Sequence, residues 1–143
     1  MRNAKTVMMG DVSGFEGRHQ FKKLGMREAY DRLERAYDYI LPCDRYLLEQ
    51  YFVHRTSLSR IAESMRHCPK TIRRRLKKLI VRIHSAEFDY LVLYGPTLSR
   101  DVYRVGDCIF LKGYSFSQTR KLTGLSLHHI RSYLLEITQS VGL

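Results

Sequence analysis

The stretch Ser57–Ile83, SLSRIAESMRHCPKTIRRRLKKLIVRI, constrains the fold of this chain more than any other. It reads as two short helices joined by a tight turn. In the second helix Ile72, Leu76, Leu79, Ile80 and Ile83 recur at helical spacing and mark one apolar face. Lys70, Arg73, Arg74, Arg75, Lys77, Lys78 and Arg82 fill the remaining surface, and no acidic residue stands between Met65 and His84. Like charges at i,i+4 destabilise a helix unless something offsets them. A helix that is apolar on one side and cationic on the other, behind a short helix and a turn, is how proteins reach into a DNA groove.

The flanking segments carry helical signals of their own. Ala29, Leu33, Ala36, Tyr37 and Ile40 predict a helix from Met26 to Leu41, stopped by Pro42. Asp44 is expected to cap the next helix, which holds Tyr46, Leu47, Leu48, Tyr51 and Phe52. Thr56 or Ser57 caps the one after it, and Pro69 opens the basic helix at a position where its missing N–H costs nothing. That helix fades near Glu87. Phe88–Tyr94 is apolar enough for a strand, but a lone strand has no partner, so the segment is read as a helix end or packed linker. Gly95-Pro96 marks a break. Beyond it, Val102, Val105, Ile109, Phe110 and Leu111 suggest a helix ending at Gly113. Ser115 caps a short helix with Phe116, Thr119 and Leu122; Gly124 makes a turn; Ser126 caps a last helix lined by Ile130, Leu134, Ile137 and Val141.

A shift of 58 positions lays the first helix pair on the second. Leu58 falls on Phe116, Ser59 on Ser117, Cys68 on Ser126, Ile72 on Ile130, Arg73 on Arg131 and Leu76 on Leu134, while Tyr51-Phe52 lands on Ile109-Phe110. An apolar register kept across three helices points to a duplicated unit. The expected fold is therefore all-α: two trihelical helix-turn-helix units in tandem with an extra N-terminal helix. The expected division is a flexible basic arm over residues 1–22, the N-terminal helix and first unit over 23–94, and the second, less basic unit over 95–143. Arg18, His19, Lys22, Lys23 and Arg27 form a basic cluster at the end of the arm, either a phosphate contact or a solvated segment.

With 143 residues, 44% of them hydrophobic, the chain can bury a core. Lys and Arg outnumber Asp and Glu by 25 to 14, a net charge of +11, which favours a polyanionic partner, nucleic acid before an anionic membrane surface. No apolar run is long enough for a membrane span, and the N-terminal residues lack the apolar core of a secretory signal. The expected setting is cytoplasmic, of a bacterial or phage type and associated with the nucleoid. Three widely spaced cysteines (Cys43, Cys68, Cys108) argue against a disulfide framework, and His67 beside Cys68 lacks the spacing of a zinc site. No metal or cofactor is expected. Without a phosphate-binding Gly-rich loop, a ligand cluster or a nucleophile paired with a base, an enzyme is not expected either.

Opposite the apolar stripe lie Lys70, Arg74, Lys77 and Lys78, flanked by Thr71 and Arg73. Residues at the start of a recognition helix reach base edges and later ones meet the backbone. Lys70, Thr71, Arg73 and Arg74 are thus expected nearest the bases, with Ser57, Ser59, Lys77 and Lys78 on phosphates. Arg75 lies toward the flank of the core and could equally bind a carboxylate within the protein. The last helix carries only Arg131 as a cation, so its candidates are Ser126, His128, His129, Arg131 and Ser132. Tyr30, Tyr37, Tyr46 and Tyr51 sit at helical spacing with apolar residues and read as core or interface.

The run LPCDRYLLEQYFVHRTSLSRIAESMRHCPKTIRRRLKKL resembles the helix-turn-helix of region 4 of bacterial sigma-70-type factors, with Leu41-Pro42, Tyr51-Phe52, Ile61-Ala62 and Thr71-Ile72-Arg73 at the family's places. It departs at Arg66, where glycine is common. The second unit keeps the turn in Gly124, Leu125 and Ser126 but has Thr119-Arg120 where the family has Ile-Ala. No sigma region 2 is recognisable. The resemblance implies a sequence-specific, double-stranded DNA-binding transcription regulator that inserts the basic helix 69–84 into the major groove. It leaves contact with RNA polymerase open; a homodimer is possible, and no membrane partner is expected. The alternatives are the DNA-binding part of a transposase or recombinase, and a protein-interaction module docking RNA polymerase through residues 97–143.

Overall fold

The computed structural model describes residues 26–142, and among them every regular element is helical. Eight α-helices follow one another: α1 (Met26–Ala36), α2 (Pro42–Leu48), α3 (Leu58–Met65), α4 (Pro69–Ile83), α5 (Ala86–Tyr94), α6 (Arg100–Gly106), α7 (Phe116–Thr123) and α8 (Leu127–Val141). Helices α2 and α6 each continue into a π-helical turn, Glu49–Val53 and Asp107–Leu111. The architecture is all-α. The expected arm, with Arg18, His19, Lys22 and Lys23, lies outside the described residues; Arg27 falls in α1.

Two compact units divide the chain, the first ending at Val81 and the second running Arg82–Leu143. The boundary lies in the last turn of α4, upstream of the Gly95-Pro96 break where the sequence suggested one. The core of the first unit is built from Leu33, Ala36, Leu47, Leu48, Tyr51, Phe52, Ile61, Ala62, Ile72, Leu76, Leu79 and Ile80, all buried. Edge-to-face ring contacts knit α1 to the π turn, with Tyr30 and Phe52 centroids 6.3 Å apart and Tyr51 and Phe52 at 4.9 Å. The second core gathers Phe88, Leu91, Val102, Val105, Leu111, Ile130 and Ile137. Here α5 and α6 both pack on α8, and Gly106 permits the approach: a Cβ on it would stand 2.8 Å from Ile137 Cδ1 and from Leu91 Cδ2.

The segment Phe88–Tyr94 is thus part of a helix in its own right. Ser85 caps it by accepting a hydrogen bond from the Phe88 N–H at 3.2 Å. Its apolar residues surround it rather than forming one stripe, so no period of 3.6 betrays it in sequence. With α5 in place each unit has four helices among the described residues, and the offset of 58 lays α1 on residues 84–94, most of which α5 fills.

The offset of 58 recurs in the backbone. Helices α2, α3 and α4, and the π turn between the first two, have the same bounds as α6, α7, α8 and the second π turn once shifted. The hydrogen bonds shift too: His54 N–H to Glu49 O (3.0 Å) and Thr56 N–H to Gln50 O (2.8 Å) match Lys112 N–H to Asp107 O and Tyr114 N–H to Cys108 O, both 2.8 Å. Among the described residues, those with positive φ are Arg55 and Arg66 in one unit and Gly113 and Gly124 in the other, again 58 apart.

Two local readings change. Pro42 begins α2 instead of ending α1: Leu41 O accepts the N–H groups of Asp44 (3.0 Å) and Arg45 (2.9 Å), and proline fits the first position because no donor is lost there. Asp44 is accordingly no cap but a buried side chain in the first turn. Helix α1 stops at Ala36, where Tyr37 N–H turns back to Glu34 O (3.3 Å) and Tyr39 N–H to Ala36 O (2.9 Å).

Candidate nucleic-acid interface

Helix α4 starts at Pro69 and holds its apolar stripe in the core, with Ile72, Leu76, Leu79, Ile80 and Ile83 all at most 1% exposed. Burying five such side chains fixes the rotation of the helix, and with it the direction of every cation. Lys70, Arg73, Arg74 and Lys78 are exposed and Lys77 is half-buried. Among the described residues, Lys70, Arg74, Lys77 and Lys78 have no carboxylate partner. Three of the seven cations, Arg73, Arg75 and Arg82, have interactions within the protein. The Arg82 guanidinium lies against Gly113. Arg75 reaches Asp44, with Nη2 2.9 Å and Nε 3.0 Å from the same Oδ1, and its Nη2 donates to Cys43 Sγ at 2.7 Å. Burial works against the Arg75 charge, but the Asp44 carboxylate and the Cys43 sulfur together outweigh it, so the guanidinium titrates above its ordinary range.

The start of α4 is organised around Cys68. Its carbonyl accepts the N–H groups of Thr71 (3.0 Å) and Ile72 (3.2 Å), and its Sγ lies 3.1 Å from Thr71 Oγ1. That hydroxyl contact, then the backbone N–H of Thr71, draws the exposed thiol below its usual range. Thr71 is half-buried and its hydroxyl is engaged with the cap, which sets it apart from the exposed Lys70, Arg73 and Arg74 of the expected base-reading group. Ser57 caps α3 through Arg60 N–H (3.2 Å) and Ser59 is exposed one residue inside it.

Further cations border this face. Arg60 and Arg66 are exposed, as is His67. Arg66 ends α3 in the left-handed region (φ 59°, ψ 44°), closing a Schellman turn in which its N–H reaches Glu63 O (3.3 Å) and His67 N–H reaches Ala62 O (2.9 Å). A non-glycine residue there costs on the order of 1 kcal/mol. The sequence showed only the missing glycine, a departure from the family pattern, and gave no sign of the left-handed backbone.

In the second unit the positions of Lys70, Thr71, Arg73 and Arg74 are held by His128, His129, Arg131 and Ser132, all exposed. Ser126 caps α8: its Oγ accepts from His129 N–H (3.3 Å) and lies 2.8 Å from His129 Nδ1. The His129 ring also meets His128 edge-on, centroids 5.7 Å apart, and lies 6.1 Å from Tyr133. Helix α7 opens with a capping box between Ser115 and Gln118. Thr119 is fully buried where the first unit has Ile61, its hydroxyl satisfied by Ser115 O at 2.8 Å. Arg120 and Lys121, next to it, are exposed. With Ser117, Gly124 and Leu125 they line an open cleft of about 320 Å³. Sequence reasoning missed this pair because it looked for charge on the last helix, and these cations sit on the one before it.

Among the described residues no helix is long and apolar enough to cross a membrane. The chain matches no family model, no curated protein and no solved structure.

Proposed function

We propose that the chain is a sequence-specific double-stranded DNA-binding protein acting in transcription regulation, with α4 as the element that enters the major groove. The observation that carries this reading is the face of α4: Lys70, Arg74, Lys77 and Lys78 stand without carboxylate partners among the described residues, on a helix whose opposite side is locked into the core. An acid-free cation row held this rigidly repels itself unless a polyanion neutralises it. The turn before α4 and the capped α3 supply the backbone and hydroxyl contacts that orient such a helix on phosphates. Region 4 of sigma-70-type factors, which this run resembles, uses the same arrangement.

The two ends of the face have different duties. Arg74, near the helix start, is suited to pair bidentately with guanine O6 and N7, whereas Lys77 and Lys78 neutralise phosphates. The test begins with selection of bound duplexes from a random pool, followed by anisotropy titrations of the chosen duplex and of an unrelated one. Arg74→Ala should lower affinity for the chosen duplex by about tenfold and relax preference at one position. Lys77→Ala should weaken both duplexes alike and reduce the slope against salt by about one. Unchanged affinity in both variants would sink the assignment.

A further inference from the structure

The second unit repeats the backbone of the first but keeps its charge elsewhere. Arg120 and Lys121 on α7 replace the buried Ala62 and the acidic Glu63 of the first unit. Neither they nor Arg131 has a carboxylate partner among the described residues, and Glu136 is the one acidic residue on α7 or α8. The cleft they border is polar and open, and its floor is a glycine in the left-handed conformation (φ +75°) with nothing within 4 Å of where a Cβ would stand. Two cations, the Ser117 hydroxyl and an uncovered backbone suit a phosphodiester that must come close.

We propose that the α7–α8 face is a second duplex-DNA site, with Arg120 and Lys121 gripping the backbone while His128, Arg131 and Ser132 read base edges. The inference rests on the reading of α4 above and extends it to the other half of the chain. The chemistry of the two sites differs. Imidazole, guanidinium and hydroxyl groups form directed hydrogen bonds with bases, whereas the lysines of α4 act mainly as point charges. The second site is too weakly charged to hold DNA by itself at ordinary salt. Being tethered to the first, it binds at the high local concentration that one chain provides. It therefore contributes sequence preference more than affinity, and the full recognition sequence has two blocks.

The experiment uses the whole chain with a random duplex pool and compares wild type, Arg120→Ala/Lys121→Ala, Arg131→Ala/Ser132→Ala and Lys77→Ala. Apart from the half-buried Lys77 these side chains are exposed, and helix content and melting temperature are recorded for each to confirm folding. Wild type is expected to select a two-block motif. Arg131→Ala/Ser132→Ala should lose one block and keep the other. Arg120→Ala/Lys121→Ala should lower affinity for the two-block duplex by about tenfold and reduce the salt slope by about two. A wild-type motif and affinity retained by both second-unit variants, including the case where the face captures a protein instead, overturns the proposal. Loss of binding in the second-unit variants with none in Lys77→Ala would keep this site and overturn the reading of α4. Loss in Lys77→Ala alone would do the reverse.

Discussion

The two units share a backbone and differ in what they do with charge. Residues 26–81 hold 13 Lys or Arg against seven Asp or Glu, a net +6, while residues 82–143 hold seven against five, a net +2. In the first unit the surplus runs along the exposed side of α4; in the second it moves to α7, and the last helix carries imidazoles, one arginine and an exposed leucine, Leu135. The difference reaches the interior. The pair of buried Asp44 and half-buried Arg75 in the first unit has Val102 and Tyr133 at the same positions in the second, and the arginines at positive φ have glycines. One scaffold tolerates both solutions. The fold thus depends on the apolar register, the caps and the turns, and leaves its surface chemistry to be set separately.

Exchanges that put second-unit residues into the first unit can break this comparison. The largest effect is expected from Lys77→Leu/Lys78→Glu, which copies Leu135 and Glu136: DNA affinity should fall by more than about tenfold and the salt slope by about two, measured by anisotropy. An unaltered slope would mean that the cation row does not touch phosphate. Next comes Arg75→Tyr, which takes the half-buried guanidinium away from the buried Asp44 carboxylate and should cost about 1–2 kcal/mol in urea unfolding. Asp44→Val/Arg75→Tyr, the full second-unit pair, should recover most of that loss. A double variant as unstable as the single one would show that the two units do not pack alike at this place.

A smaller effect with two signs is expected at the turn. Arg66→Gly relieves a left-handed arginine and should raise unfolding stability by about 1 kcal/mol, yet weaken DNA binding a few-fold. If stability rises and binding stays the same, Arg66 has no part in the interface. The smallest change is Cys68→Ser, which installs the cap used by Ser126 and should add about 0.5 kcal/mol. In the native chain the Thr71 contact favours the Cys68 thiolate, so alkylation sets in at lower pH than for an unassisted thiol. Thr71→Val should move that pH profile upward, and a profile that stays in place would show that the contact has no influence on the thiol.

Much of this arrangement could be read in the sequence because local rules govern it. The spacing from Ile72 to Ile83 set the face of α4, Pro69 set its start, and Ser57, Ser115 and Ser126 all act as caps. What was missed depends on partners far along the chain or on absent signals. Asp44 has the residue type of a cap, but its partner Arg75 is 31 positions away. Helix α5 is apolar all round and shows no period. At Arg55 and Arg66 no glycine advertises the left-handed backbone. Of the proposed interface, the α4 cations were legible from composition, whereas the Arg120–Lys121 cleft emerges only when α7 and the Gly124 turn are placed together.

The π turns after α2 and α6 give each unit one spare residue. A π turn closes its hydrogen bonds over five residues where an α turn needs four, as His54 to Glu49 and Lys112 to Asp107 do. Deleting one residue there would let the ring tighten into an ordinary α turn while both flanking anchors stay in place. The same deletion within α4 would swing everything beyond it by about 100° and turn cations into the core. The chain thus has a place where its length can change without altering which side chains face outward, and a single-residue deletion at the exposed Val53 should be far better tolerated than one at the buried Leu76.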